Sequence, residues 1–276
     1  MPVTVPFSEI SSLQNPRIKN VVKLRDRPAR DEQSKMIIEG YRGLDAALKN
    51  GYAVDEFYFC EELFLGENEP ALIAGFQARG AEIFKCSRPV FEKIAYRERP
   101  EGILAVAPQR RRGLADMPEP TAGRAPLYLI AEAIEKPGNL GTMLRTADGT
   151  GVTAIILCDK GTDIFNPNVV RASIGTLFTV PIIECSGDEA IAWCRQHQVK
   201  ILAATPHTDT VYTDVDMTGP VAVVVGTEKW GLSDQWMTQA DLKVVIPMLG
   251  QADSLNVATA TSLLLYEAVR QRRKPV

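Results

Sequence analysis

The feature that most constrains this chain is a rhythm in its second half, where short runs of valine, isoleucine and leucine alternate with stretches of helical spacing. The apolar runs are LYLIA (127–131), VTAIILC (152–158), TVPIIE (179–184), VKILAAT (199–205), VAVVVGT (221–227) and LKVVIP (242–247). Most lack the polar–apolar alternation of a strand with one wet face, so they predict strands covered on both faces. Helical stretches fall at 139–149, 167–175, 188–197 and 233–239, and 254–273 closes the chain. This order predicts an α/β domain with a doubly wound parallel sheet. Ligands of such sheets bind in the loops beyond the carboxyl ends of the strands.

The front of the chain reads differently. The stretch QRRRGLADMPEPTAGRAP (109–126) is basic, then rich in Pro, Gly and Ala, and has no sustained period. It reads as a linker, dividing the chain into 1–108, 109–125 and 126–276. Ahead of it come a basic opening segment, a helix over Gly40–Asn50, strands at Ala53–Cys60, Ala81–Cys86 and Gly102–Ala107, and a helix over Pro70–Arg79. Together they make a small α/β unit.

Net charge is −3, so any attraction to nucleic acid must come from local patches. Residues 17–30 carry Arg17, Lys19, Lys23, Arg25, Arg27 and Arg30 against the single acid Asp26, and Arg110, Arg111 and Arg112 form a second cluster. Such patches engage phosphates without reading sequence; the same residues also make an ordinary solvated helix face. Phe7 and Tyr41 are stacking candidates for bases, or core residues. No apolar run reaches the roughly 18 residues needed to span a bilayer, and the start MPVTVPFSEISSL lacks a basic segment followed by an apolar one. With five cysteines, no CxxC pair and two histidines, neither a metal site nor a disulfide framework is expected. The expectation is a cytoplasmic protein with reduced thiols and no membrane partner.

Three loops of the second half carry polar residues of chemical interest. EKPGNLGTMLRTADGTG (135–151) follows the first strand. There Asn139 stands as a helix N-cap, and Leu140, Met143, Leu144 and Ala147 form one apolar stripe from which Arg145 points away. Arg145 is either a solvated arginine or one presented beside a Gly-rich turn, suited to a phosphate. VVVGTEKWGLS (223–233) ends a strand in Gly226 and adds Glu228 and Gly231. That is either a tight βα turn or a close backbone approach to a ligand. In IPMLGQADSLNVATATSLLLYEAVRQR (246–272), Pro247 ends a strand and Ser254 can cap the last helix. Leu255, Leu263, Leu264 and Ala268 face its core, and Asn256 sits in its first turn beside free N–H groups.

Taken in order, N139-L-G-T-M-L-R145-T-A, G226-T-E228-K-W-G231-L and I246-P-M-L-G-Q-A-D-S254-L-N256-V resemble the SpoU, or TrmH-like, RNA 2′-O-ribose methyltransferases of the SPOUT superfamily. The run RASIGTLFTVPI (171–182), with Arg171 and Ser173, is similar to the same family. The resemblance covers about 125–273. The segment NPRIKNVVKLRDR with IIEGYRGLDAAL resembles the small ribosomal-protein-like RNA-binding domain often joined to these enzymes. Two departures stand out: Ala258–Thr259 where the family commonly has a serine and a small apolar residue, and Gly149–Thr150 in place of a small–aromatic pair.

The resemblance implies a deep trefoil knot near the carboxyl end of the sheet, S-adenosylmethionine cradled in the knot largely by backbone groups, and a homodimer joined through the knot domain. It places Ala204, Thr205, Gly226, Thr227, Gly231, Ile246, Met248, Leu255 and Asn256 against the cofactor. It gives catalysis to Arg145, helped by Asn139, Ser254 and Asn256, with Glu228 in an orienting role. Arginine is effectively always protonated, so holding a phosphate or stabilising a developing alkoxide suits Arg145 better than acting as base. RNA contacts are expected from Arg145, Arg171, Arg17, Lys19, Lys23 and Arg25. The implied reaction is methylation of a ribose 2′-hydroxyl in RNA, with 23S rRNA ahead of tRNA. A non-catalytic RNA-binding or ribosome-assembly protein on the same scaffold remains the alternative. A nucleotide-dependent oxidoreductase is disfavoured, because no G-x-G-x-x-G follows a strand with an acid about twenty residues on.

Overall fold

The computed structural model describes residues 3–159 and 161–273. The chain forms two compact units. One runs to Arg110 and takes in Asp163–Thr179; the other holds Arg111–Thr162 and the chain from Val180 on. Elements are numbered along the whole chain.

The first unit contains β1 (Ser8–Ile10), α1 (Pro16–Lys23), α2 (Arg27–Gln33), β2 (Lys35–Glu39), α3 (Tyr41–Lys49), β3 (Glu56–Phe59), α4 (Glu69–Gln77), β4 (Glu82–Cys86), α5 (Arg88–Ile94), β5 (Ile103–Pro108) and the returning helix α7 (Pro167–Ala172). Its sheet runs β1-β4-β3-β5-β2, with β4 parallel to β1 and β3, and β5 antiparallel to β3 and β2. The basic opening segment is thus two helices. Asn15 caps α1 by accepting from the Arg17 amide at 2.9 Å, Pro16 supplies a preset φ, and Ile18 and Val21 turn into the core with Leu24.

Arg30 is not part of a solvated face: it is 1% exposed. Its Nε and Nη2 donate to Asp163 Oδ2 at 3.2 and 2.7 Å, and its Nη1 donates to the carbonyls of Leu24 and Arg25. A buried guanidinium is tolerable only with such partners. Asp163 begins the segment that belongs to this unit although it follows β7 in sequence.

The second unit contains β6 (Leu127–Glu132), α6 (Pro137–Thr150), β7 (Ala154–Cys158), β8 (Ile182–Cys185), α8 (Gly187–Gln196), β9 (Lys200–Ala204), β10 (Val221–Val225), α9 (Asp234–Gln239), β11 (Leu242–Val244) and α10 (Val257–Arg272). All its strand pairs are parallel, in the order β11-β9-β10-β6-β7-β8. The pairs Val225–Ala131, Val224–Ala203 and Val244–Ala204 set the carboxyl ends of β6, β10, β9 and β11 side by side. One face packs Ile156, Ile183, Ile201, Val224 and the fully buried Trp236; Leu114 and Met117 of the Pro/Gly-rich stretch pack against it. No helix among the described residues is long and apolar enough to cross a membrane.

Two expected caps are corrected. Helix α6 starts at Pro137 with Lys136 at the N-cap position, so Asn139 lies inside the first turn. Proline's fixed φ begins the helix earlier than the polar side chain would. Helix α10 is capped by Asn256, whose Oδ1 accepts from the Ala258 amide at 3.0 Å, and Ser254 lies two residues outside. The stripe Leu140, Met143, Leu144 and Ala147 is buried. On α10, Leu264, Leu265 and Ala268 are buried, whereas Leu263 is 38% exposed. The two helices pack together, with Thr146 Oγ1 hydrogen-bonded to Ser262 Oγ at 2.8 Å. A Cβ on Gly149 would stand 3.1 Å from the Tyr266 hydroxyl, so the small residue there makes room for that ring's polar tip.

Candidate active site

Three loops meet on one carboxylate. Asn139 Nδ2 donates to Glu228 Oε1 at 2.9 Å, and Asn256 Nδ2 donates to the same oxygen at 2.6 Å. Asn256 Nδ2 also reaches Asn139 Oδ1 at 3.2 Å. Lys136 pairs with the other oxygen, Glu228 Oε2. The Glu228 carboxyl is held below its ordinary range, first by the Lys136 ammonium and then by the Asn139 and Asn256 carboxamides. Beside it opens a cleft of about 230 Å³ lined by Ile134, Glu135, Lys136, Asn139, Thr227, Glu228, Lys229 and Val257.

The turn that carries Glu228 is built by glycine. Thr227 and Gly231 exchange backbone hydrogen bonds at 2.9 and 3.0 Å, and Gly231 has φ +69°. Thr227 Oγ1 accepts from the Trp230 amide at 2.9 Å. At the buried Gly226 a Cβ would lie 2.1 Å from the Gly231 oxygen and 2.6 Å from the Leu232 nitrogen, so no other residue fits this path.

The loop before α10 has the opposite character. Residues 246–255 make no backbone–backbone hydrogen bond among the described residues, yet Ile246, Met248 and Leu255 are half-buried. Unpaired backbone groups beside partly covered apolar side chains suit a ligand with an apolar body and polar edges. An adenosyl group fits that description. The half-buried Ala204 ends β9, the strand between β10 and β11, and the buried Thr205 follows it. The Thr205 amide donates to the Val244 carbonyl at 2.9 Å, and Val211 bridges Val245, so the loop after β9 lies against the start of 246–255.

Arg145 is exposed on α6, about 9 Å along the axis from Asn139. Its Nη2 donates to Thr142 Oγ1 at 3.1 Å, and Thr142 donates to the Gly138 carbonyl. Glu228 is bound to Lys136 and the two asparagines rather than to this arginine. Ser254 is exposed. Of the residues named for RNA, Arg171 belongs to the first unit and donates to Asn168 Oδ1 at 3.3 Å. Arg17 pairs with Glu56 and, at 2.9 Å, with Glu82, and lies over the Phe84 ring. Arg25 donates to the Lys93 and Ala95 carbonyls, both at 2.7 Å. Lys19 and Lys23 are exposed on α1.

Lys136 escaped the sequence reading. The signal was present: a cation at a helix N-terminus opposes the helix dipole, and such a placement calls for a carboxylate partner.

Comparison with known proteins identifies the family. Residues 126–266 match the model of the SpoU rRNA Methylase family, and residues 15–105 match the MRM3-like substrate binding domain. The 23S rRNA (guanosine(2553)-2′-O)-methyltransferase RlmP of Bacillus subtilis (strain 168) is 29% identical over 260 residues, covering 94% of this chain and 98% of that protein. A crystal structure of an AdoMet-bound rRNA methyltransferase from Sinorhizobium meliloti is 31% identical, with TM-score 0.88, 97% of this chain and 99% of that one covered. An RNA 2′-O ribose methyltransferase crystal structure is 37% identical, with TM-score 0.81, 96% of this chain and 99% of that one covered. With a family match over residues 126–266 and relatives that align along nearly its full length, the chain belongs to the SpoU rRNA methylase family.

Proposed function

We propose that this chain methylates a ribose 2′-hydroxyl of 23S rRNA, with S-adenosylmethionine as donor. The observation that carries the reading is the convergence of Asn139, Glu228 and Asn256, residues up to 117 positions apart, at the edge of one cleft. S-adenosylmethionine, when bound, supplies an electrophilic methyl group. What remains for the chain is to place a weak nucleophile and ease its proton away.

In this reading the backbone of 246–256, with Ala204, Thr205, Gly226, Thr227, Gly231, Ile246, Met248 and Leu255, holds the cofactor. The unbonded amides and carbonyls of 246–255 support that role. Arg145 acts on the RNA side. Permanently charged and exposed, it neutralises the phosphate next to the target ribose and stabilises the oxygen as its proton leaves. Asn139 and Asn256 are fixed by Glu228 and orient the reacting groups, and Ser254 is available at the mouth of the loop. Lys19 and Lys23, with Arg171, reach phosphates from the first unit; Arg17 and Arg25 contribute charge while tied to their own unit. Relatives named as 23S rRNA enzymes favour that RNA over tRNA. A homodimer through the second unit and the knotted path of 246–256 are part of the same reading. A cytoplasmic setting is supported by five free cysteines, four of them buried.

The test is transfer of labelled methyl from S-adenosylmethionine to unmodified 23S rRNA and, separately, to tRNA, followed by mapping of ribose methylation. Label at a ribose of 23S rRNA is the expected result. No label on any RNA, with the cofactor bound, would favour the assembly-factor alternative.

A further inference from the structure

The mechanism above uses Glu228 but leaves unexplained why a lysine sits at the start of α6. Lys136 stands at the N-cap position, where the helix dipole repels a cation. Its side chain is 68% exposed and is free to turn toward solvent, yet it pairs with Glu228. The other two partners of Glu228 are neutral carboxamides, and both use Oε1. Lys136 alone of the three occupies Oε2.

The titratable groups that line the cleft are Glu135 and Lys136 from the segment before α6, and Glu228 and Lys229 from the turn after β10. The α10 side brings Val257 and the neutral Asn256. Counted as charges, the lining holds two acids and two bases. Removing Lys136 leaves two carboxylates against one ammonium, facing a substrate that is itself a polyanion.

We propose that Lys136 is a positioning residue for methyl transfer, which locks the Glu228 carboxylate onto Asn139 and Asn256 and offsets its charge so that an RNA phosphate can enter the cleft. The inference rests on the proposed function for its substrate, but the Lys136–Glu228 coupling is readable without any activity. The coupling has a definite sign. Glu228 titrates below an ordinary carboxyl, so the locked arrangement is complete above the usual carboxylate range and is lost as pH falls through the lowered value. Lys136 is the largest cause of the lowering, so without it the loss sets in at higher pH.

The experiment compares wild type, Lys136→Met and Lys136→Arg, with steady-state methylation of an unmodified 23S rRNA transcript from pH 4.5 to pH 8 and thermal unfolding over the same range. Lys136→Met is expected to raise KM for RNA about fivefold, as for loss of one partly exposed ion pair. Its kcat at neutral pH should change less, and its acid limb should move to higher pH. Lys136→Arg keeps the charge and should stay within about twofold of wild type. A Lys136→Met protein with an unchanged KM and acid limb overturns the proposal, as does a Lys136→Arg protein as impaired as Lys136→Met. If wild type methylates no RNA, the proposed function has failed. The Lys136 inference then stands or falls on whether Lys136→Met loses its melting temperature at higher pH than wild type does. Should Lys136→Met fold poorly at neutral pH, Glu228→Gln and the double variant replace it. Additive effects on stability would refute the coupling, and a double variant no worse than either single one would support it.

Discussion

Among the described glycines, Gly226 is the one where a new Cβ would meet the closest contact, so Gly226→Ala is the most disruptive of these substitutions. Gly226 follows the last residue of β10 and is buried. A Cβ there would stand 2.1 Å from the Gly231 oxygen, 2.4 Å from its carbonyl carbon and 2.6 Å from the Leu232 nitrogen. All three are backbone atoms, so no rotamer change relieves the clash, and the 227–231 turn must move by more than 1 Å to reach ordinary contact. Forced overpacking costs about 1–3 kcal/mol. The two backbone bonds that close the turn, Thr227–Gly231 in both directions, add about 1 kcal/mol each if they break. The expected loss is therefore about 3–5 kcal/mol in the second unit. Because Thr227 and Gly231, which hold the cofactor in the proposed function, close the same turn, cofactor binding should be lost with it. Gly231→Ala is the control: it has φ +69° and nothing within 4 Å of a new Cβ, so only left-handed strain of about 1–2 kcal/mol applies. Urea unfolding followed by circular dichroism, with S-adenosylmethionine calorimetry on each variant, separates the two. If Gly226→Ala unfolds at the same urea concentration as wild type and binds the cofactor equally well, the steric reasoning is wrong.

Arg145→Ala should lower methyl transfer to RNA at least about 10²-fold with cofactor affinity nearly unchanged, as read by single-turnover transfer and calorimetry; full activity would remove Arg145 from the site. Asp163→Ala strands the buried Arg30 guanidinium and should cost the first unit about 3–5 kcal/mol, seen as an earlier unfolding transition. Asn256→Asp keeps a good N-cap for α10 but turns a donor into a second carboxylate facing Glu228, where the amide now sits at 2.6 Å. It should inactivate at neutral pH and melt lower there, with the gap to wild type narrowing on acidification as one carboxyl takes up a proton; unimpaired activity at neutral pH would refute the arrangement.

The strands of the second unit were legible because they are buried on both faces, and the chain writes that condition as unbroken runs such as Val221–Val225. The buried face of α6 was legible because Leu140, Met143, Leu144 and Ala147 keep the helical period without a competing residue. On α10 the period has competition: Leu263, Leu264 and Leu265 stand in a row, and only packing decides among them. The buried set Val257, Ala258, Thr261, Leu264, Leu265, Glu267 and Ala268 leaves Leu263 about 100° away from Leu264. The basic helices of the first unit were hidden for a related reason. Helix α1 turns only Ile18 and Val21 inward over eight residues, too short a stripe to stand out from its charges.

Caps show where local chemistry stops. Near α10, Ser254 and Asn256 have equal claims by residue type, and near α6 so do Asn139 and a start at Pro137. What selects Asn256 is a partner 28 positions away. With Oδ1 accepting from Ala258 and Nδ2 donating to Glu228, its amide can face only one way. The same geometry makes the helix terminus and the site a single unit: anything that rotates the Asn256 amide gives up a cap bond and a Glu228 bond together. Lys136 and Asn139 bind that carboxylate from 92 and 89 positions away, so the cluster forms only after β6, β10 and α10 have all docked. A motif read along the chain names the three loops, but the carboxylate that makes them one site is visible only where they cross.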